Sequence, residues 1–136
     1  KDQVFKALSN TTNRVCFAGI LEEVDIAQLL TAADVFAWPA INEAFGMAIL
    51  EAHRNGLPVV AGYTDGVAAT VADTRTGFLT PAGGIVSFAK AISSLIQDAS
   101  IRAQMAKNAR DKFLEQHTVE LAAETIQFFL SQIKTQ

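Results

Sequence analysis

Short apolar runs alternate along the chain with stretches in which apolar residues recur at helical spacing. Four of these runs, at residues 15–18, 35–38, 59–61 and 77–80, end at glycine or proline, which predicts four strands. None of the runs alternates with polar residues. We therefore expect strands that are buried on both faces and parallel to one another.

Helical periodicity fills the segments between and after these strands. Gly56 is a typical stop for a helix, whereas Ser100 and Thr118 are typical caps at a helix start. The helices predicted in this way cover residues 26–33, 46–55, 67–72 and 86–97, then run from residue 100 towards 113 and from 118 onwards. The last helix has an apolar stripe, which we expect in the core or at a docking face, formed by Leu121, Ala122, Ile126, Phe129, Leu130 and Ile133.

Strands that alternate with helices predict the α/β class. We expect a Rossmann-like, doubly wound parallel sheet with additional C-terminal helices, forming one domain over residues 1–136. In such sheets ligands bind beyond the carboxyl ends of the strands. Candidate binding loops therefore begin at Gly19, Pro39, Gly62 and Thr80.

Composition excludes several classes of function. Acidic residues outnumber basic ones by 14 to 11 without any basic cluster, which argues against a nucleic-acid partner. The apolar runs are too short to span a bilayer, so we expect a cytoplasmic protein without a membrane segment in this chain. Cys16 is the single cysteine, and its apolar surroundings in the sequence predict a core thiol. His53 and His117 lack the spacing of metal ligands, so no metal is expected.

The segment 39–52 combines several features of a ligand site. A strand ends, a carboxylate follows at Glu43, a glycine opens a helix at Gly46, and a second carboxylate lies inside that helix at Glu51. Backbone amides at a helix start favour phosphate, which places the amides of Phe45, Gly46 and Met47 near a phosphate. A carboxylate in the second turn can accept from two ribose hydroxyls, and Glu43 can hold the hydroxyls of a group attached to the phosphates. These parts match a nucleoside diphosphate sugar.

This segment resembles the E-x7-E region of retaining GT-B-fold glycosyltransferases of the family 4, or group 1, type. The decapeptide EAFGMAILEA at 43–52 is followed by GLPVVA at 56–61. Three further stretches are similar to segments of that family: VCFAG at 15–19, LLTAADVF at 29–36 and TGFL at 76–79.

The resemblance implies a role for each matching position. Glu51 would bind the ribose and Glu43 the transferred sugar, as the catalytic-site carboxylate. The amides of residues 45–47 would lie by the diphosphate, and the loop at Gly19 and Ile20 by the nucleobase. Transfer would retain the anomeric configuration, with the nucleotide sugar as donor substrate and with neither cofactor nor metal.

The chain also departs from the family pattern. Where the family has a glycine pair, this chain has Asp65 followed by Gly66, and Ala69 stands where a glutamate is common. The basic "G-R-L…K-G" segment of the family is missing. We therefore expect a C-terminal part of a two-domain enzyme, inactive alone. The acceptor, and any peripheral membrane attachment, would belong to a missing N-terminal domain.

Other interpretations stay open. Glu51 can pair with Arg54 on the same helix, Glu43 can be a solvated charge at a positive helix end, and Gly66 can be a turn glycine as readily as a donor-binding one. At the level of the whole protein, the main alternative is a catalytically inactive, GT-B-like nucleotide-sugar-binding or regulatory module. Asp65 and Ala69 favour that alternative. An epimerase or a phosphorylase of GT-B fold is a third hypothesis, which the E-x7-E spacing and the lack of a placed pyridoxal lysine disfavour.

Overall fold

Three parallel strands form the sheet of this protein. A computed structural model describes residue 11 and residues 14–133 of the chain. The strands are β1 (Phe36–Trp38), β2 (Val59–Gly62) and β3 (Gly77–Thr80), in the order β1-β2-β3. Ala37 pairs with Val60, and Val60 pairs with Phe78, both in parallel register.

Six helices surround this sheet in the described part of the chain. Three precede or connect strands: α1 (Glu23–Ala32) leads into β1, α2 (Met47–Arg54) joins β1 to β2, and α3 (Asp65–Thr70) joins β2 to β3. The other three follow β3: α4 (Ile85–Gln97), α5 (Ala99–Gln116) and α6 (Val119–Ile133). This order confirms the α/β prediction and, within two or three residues, most predicted helix bounds.

The central strand β2 shows why the sheet needs helices on both faces. All four of its residues are buried, and neighbouring side chains of a strand point to opposite faces. Val59 and Ala61 pack with Ile49 of α2 in one apolar cluster. Val60 packs with Leu95 and Met105, from α4 and α5, in a second cluster. The sheet is therefore a middle layer between two helical layers, as expected for a doubly wound fold.

The strand predicted at residues 15–18 is wrong. This segment has no regular secondary structure, and Cys16 and Phe17 are exposed. An extended apolar run becomes a strand when its backbone pairs with a neighbour, and the described sheet provides no strand beside this run. The prediction of Cys16 as a core thiol is wrong for the same reason.

The cap predicted for the helix near residue 100 is also wrong by two residues. The carboxylate of Asp98 accepts from the amides of Ser100 and Ile101 at 2.9 and 3.0 Å, so Asp98 caps α5. Asp is among the strongest N-cap residues because its short carboxylate reaches two amides at once. The cap predicted at Thr118 is confirmed, since its hydroxyl accepts from the amide of Leu121 at 3.3 Å.

The apolar stripe of α6 does not join the core. None of the fifteen residues of this helix is buried. Ile126, Phe129, Leu130 and Ile133 are each more than half exposed, and Phe128 touches Phe129 edge to face. Of the two interpretations of the stripe, the structure excludes the core. Among the described residues, no helix combines the length and hydropathy that crossing a bilayer requires.

Candidate functional site

The candidate site lies at the carboxyl end of β1, where the chain turns into α2. Gly46 precedes the helix as its N-cap residue, with φ of 79° and ψ of 50°. This left-handed conformation favours glycine because other residues suffer a clash with their Cβ. A Cβ on Gly46 would also lie 3.0 Å from Ile49. Gly46 thus has a local structural reason to be a glycine, and its role towards a ligand stays a prediction.

The carboxylate of Glu43 folds back onto its own loop. Its Oε1 accepts from the amide of Gly46 at 3.1 Å and, at a longer 3.5 Å, from the amide of Phe45. Its Oε2 accepts from the indole nitrogen of Trp38 at 3.2 Å. The amide of Gly46, then that of Phe45, and the indole N–H hold the pKa of Glu43 below its ordinary value, because these donors stabilise the charged form. Glu43 is therefore an ionised acceptor at neutral pH.

This arrangement changes what the helix start offers a phosphate. Two of the three amides predicted for the diphosphate, those of Phe45 and Gly46, already donate to Glu43. The amide of Met47 follows them at the first helical position, where the helix itself supplies no acceptor. Phe45 and Met47 are themselves exposed.

The start of α3 supports this loop from the side. The hydroxyl of Thr64 donates to the backbone oxygen of Glu43 at 2.8 Å and accepts from the amide of Val67, which caps α3. A Cβ on Gly66 would lie 1.9 Å from the carbonyl oxygen of Ala44. Gly66 thus allows α3 to approach the loop closely, which gives it a packing reason beside the predicted ligand role.

Glu51 lies on the side of α2 that faces α1. It is exposed, and it lines a groove of about 880 Å³ between α1 and α2 together with Glu23, Val24 and Arg54. No ion pair joins Glu51 to Arg54 among the described residues, so the structure does not support the alternative of a structural pair. The backbone oxygen of Arg54 accepts a hydrogen bond from the guanidinium of Arg110 at 2.7 Å, which ties the end of α2 to α5.

Gly19 and Ile20 precede α1 in an exposed bend. Gly19 has φ of 74°, a Cβ at this position would meet nothing within 4 Å, and Ile20 is fully exposed. Neither residue lines the groove that contains Glu51. In the part of the chain that the structure describes, Glu43, Phe45, Gly46 and the α3 start are therefore brought together, and the exposed Gly19 and Ile20 are not among the residues that contact this loop.

Sequence reasoning missed two residues of this site, Trp38 and Thr64. A signal existed for Trp38, because a half-buried indole N–H usually finds a hydrogen-bond partner and Glu43 is the next carboxylate along the chain. Thr64 had the ordinary signature of an N-cap before a helix.

Among the described residues, no group of three or more metal-ligating side chains could hold a metal ion.

Comparison with known proteins assigns the chain to a family. The family model described as "Glycosyl transferases group 1" matches residues 5–112, and the chain belongs to this family. Its fold is that of the Rossmann-like C-terminal domain of GT-B glycosyltransferases. The predicted membership of the group 1 family and the predicted fold class are thereby confirmed, whereas the E-x7-E motif and retention of configuration stay predictions.

Curated relatives of the chain include D-inositol 3-phosphate glycosyltransferases. That of Stackebrandtia nassauensis is 36% identical over 99 residues, which are 71% of this chain and 22% of the relative. That of Salinispora tropica is 37% identical over 99 residues, which are 73% of this chain and 20% of the relative. The chain thus spans about a fifth of the length of these relatives.

Solved structures agree with this assignment. HepE of Anabaena, in complex with UDP, has a TM-score of 0.89 at 31% identity, covering 96% of this chain and 36% of HepE. HepE has also been solved with UDP-glucose. Sucrose-phosphate synthase from Thermosynechococcus elongatus has a TM-score of 0.89 at 27% identity, covering 98% of this chain and 33% of the synthase.

Proposed function

We propose that this chain is the donor-binding part of a retaining glycosyltransferase. The enzyme transfers a hexosyl group from a nucleoside diphosphate sugar to an acceptor hydroxyl. The observation that carries the proposal is the fixed, ionised carboxylate of Glu43 beside a helix start at the carboxyl end of a parallel strand. Membership of the group 1 family and the UDP-glucose complex of HepE support it.

Each side chain then has a distinct role towards the donor. Glu51 accepts from the ribose hydroxyls, and Glu43 accepts from a hydroxyl of the transferred sugar. The amide of Met47 faces the diphosphate, joined by the amides of Phe45 and Gly46 where Glu43 releases them. The partial positive charge at the start of the helix, rather than a metal ion, stabilises the negative charge of the phosphates.

Donor recognition also involves two glycine positions. The loop at Gly19 and Ile20 lies against the nucleobase, and Gly66 lets the α3 start stand close to the sugar and phosphates. The acceptor binds to an N-terminal domain that is not part of this chain, and transfer takes place in the cleft between the two domains.

Titration calorimetry with UDP-, GDP- and ADP-sugars tests this proposal. We expect one donor class to bind and Glu51→Ala to weaken its binding by at least about tenfold, since two hydrogen bonds to a charged acceptor are lost. Glu23→Ala is the matched control, because Glu23 is an exposed carboxylate of the same groove. Equal affinities of the two variants would contradict the ribose role of Glu51.

One observation favours the alternative of an inactive, nucleotide-sugar-binding or regulatory module. Asp65 begins α3, and this helix start packs directly on the loop that holds Glu43. Asp65 therefore adds a second acidic residue beside the loop whose amides are proposed to face the diphosphate. Donor binding without transfer by the two-domain protein, and transfer restored by Asp65→Gly, would support this alternative.

A further inference from the structure

The two oxygens of the Glu43 carboxylate have different surroundings. Oε1 accepts from two loop amides, whereas Oε2 accepts from the indole of Trp38 alone. An ionised carboxylate offers about four acceptor positions, two on each oxygen. Of the three donors with hydrogen-bond geometry, two reach Oε1 and one reaches Oε2, so Oε2 is the less occupied oxygen.

The ring of Trp38 is itself held in place. It stacks on Phe36 with centroids 5.8 Å apart and planes 15° apart, and both rings pack against the cluster beneath α2. Both residues belong to β1, whose backbone pairs with buried β2. The indole N–H is thus a donor fixed by the sheet, while Glu43 belongs to an irregular loop.

We propose that Trp38 is a positioning residue, which fixes the Glu43 carboxylate so that Oε2 accepts from a single hydroxyl of the transferred sugar. This inference rests on the proposed function for the identity of the ligand. Without the indole N–H, the carboxylate keeps its loop amides but Oε2 is free to rotate away from the ligand. The part of the affinity that comes from the sugar then decreases, whereas the part that comes from the nucleotide does not.

The hydrogen bond from the Trp38 indole to Glu43, which we call the anchor, is tested without any ligand. Trp38 is the single tryptophan of the chain, so its indole proton gives one resonance in a nitrogen-correlated NMR spectrum. We expect Glu43→Ala to shift this resonance upfield and to speed its exchange with solvent, because the hydrogen bond to the carboxylate is lost. Glu51→Ala should leave both unchanged. An indole resonance that is the same in wild type and Glu43→Ala would overturn the proposal.

The consequence for the ligand is tested with UDP and UDP-glucose as probes. We expect Trp38→Phe, which keeps an aromatic ring on Phe36, to weaken UDP-glucose binding about three- to tenfold, the effect of one lost hydrogen bond. UDP binding should not change. Phe36→Leu is the control that disturbs the stacking and keeps the indole donor, and it should change the ratio of the two affinities less than Trp38→Phe does.

The outcomes separate this inference from the proposed function. An equal loss of UDP and UDP-glucose affinity in Trp38→Phe would indicate a merely structural role and overturn the positioning role. If wild type bound neither probe, the proposed function would be contradicted for uridine donors, and the indole resonance would still support or overturn the anchor by itself.

Discussion

Acid destabilises this protein, we expect, through His53 of α2. The residue is fully buried, and in the described part of the chain neither ring nitrogen has a partner with hydrogen-bond geometry. Burial, and then the positive charges of Lys112 and His117, lower the pKa of His53 from 6.5 to about 4, with a weak opposing effect of the Thr76 backbone. The imidazole is therefore neutral in the folded protein at neutral pH.

The sign and size of the effect follow from this pKa. Between pH 6.5 and 4 the unfolded chain binds a proton at His53 and the folded protein does not, so the free energy of unfolding falls as the pH falls. Stability from this residue is fully present above pH 6.5 and lost through pH 4. Lowering the pKa of His53 from 6.5 to about 4 changes the free energy of unfolding by about 3 kcal/mol, since one pKa unit corresponds to 1.36 kcal/mol.

Urea unfolding between pH 7.5 and 4 measures this loss. His53→Leu should be as stable as wild type at pH 7.5 or more so, because an apolar side chain needs no hydrogen-bond partner. Its stability should also fall by about 3 kcal/mol less than that of wild type on acidification. His117→Gln, at a more exposed histidine, is the control and should keep most of the wild-type slope. Equal slopes for wild type and His53→Leu would refute the reasoning.

Three further predictions concern helix caps and close contacts of the backbone. Gly66→Ala should lower the free energy of unfolding by about 1–3 kcal/mol, as overpacking does, because a Cβ there would lie 1.9 Å from the carbonyl oxygen of Ala44; an unchanged melting temperature would contradict this. Asp98→Ala should cost about 1 kcal/mol in urea unfolding, and Ser100→Ala close to nothing, which would be reversed if Ser100 were the true cap. Thr64→Val should cost about 1–2 kcal/mol, measured in the same way, and an unchanged midpoint would argue against both of its hydrogen bonds.

Local sequence signals predicted most of the elements. Three of the four apolar runs are strands, because each has a neighbouring strand to pair with in the described sheet. The run at residues 15–18 is likewise apolar and is not a strand. Pairing is a long-range property, so the periodicity of a run cannot show whether a partner strand stands beside it.

For the candidate site, too, the sequence predicted some features and not others. The spacing of Glu43, Gly46 and Glu51 indicated a ligand site and a family, and the family assignment is confirmed. The roles of these residues towards a donor remain predictions. The spacing did not reveal that Glu43 accepts from the amides expected to bind phosphate, because a side chain that bonds its own loop leaves no mark in the pattern.

By itself, the sequence determined the class of fold and the family, and it predicted the loop in which the chemistry lies, since periodicity, glycine and proline positions and motif spacing are all local. The tertiary structure decided which groups meet across that loop. Trp38 reaches Glu43 because the sheet fixes the indole, and Gly66 approaches Ala44 because α3 packs on the neighbouring connection. These contacts depend on how helices and strands pack in three dimensions, which no stretch of sequence specifies alone.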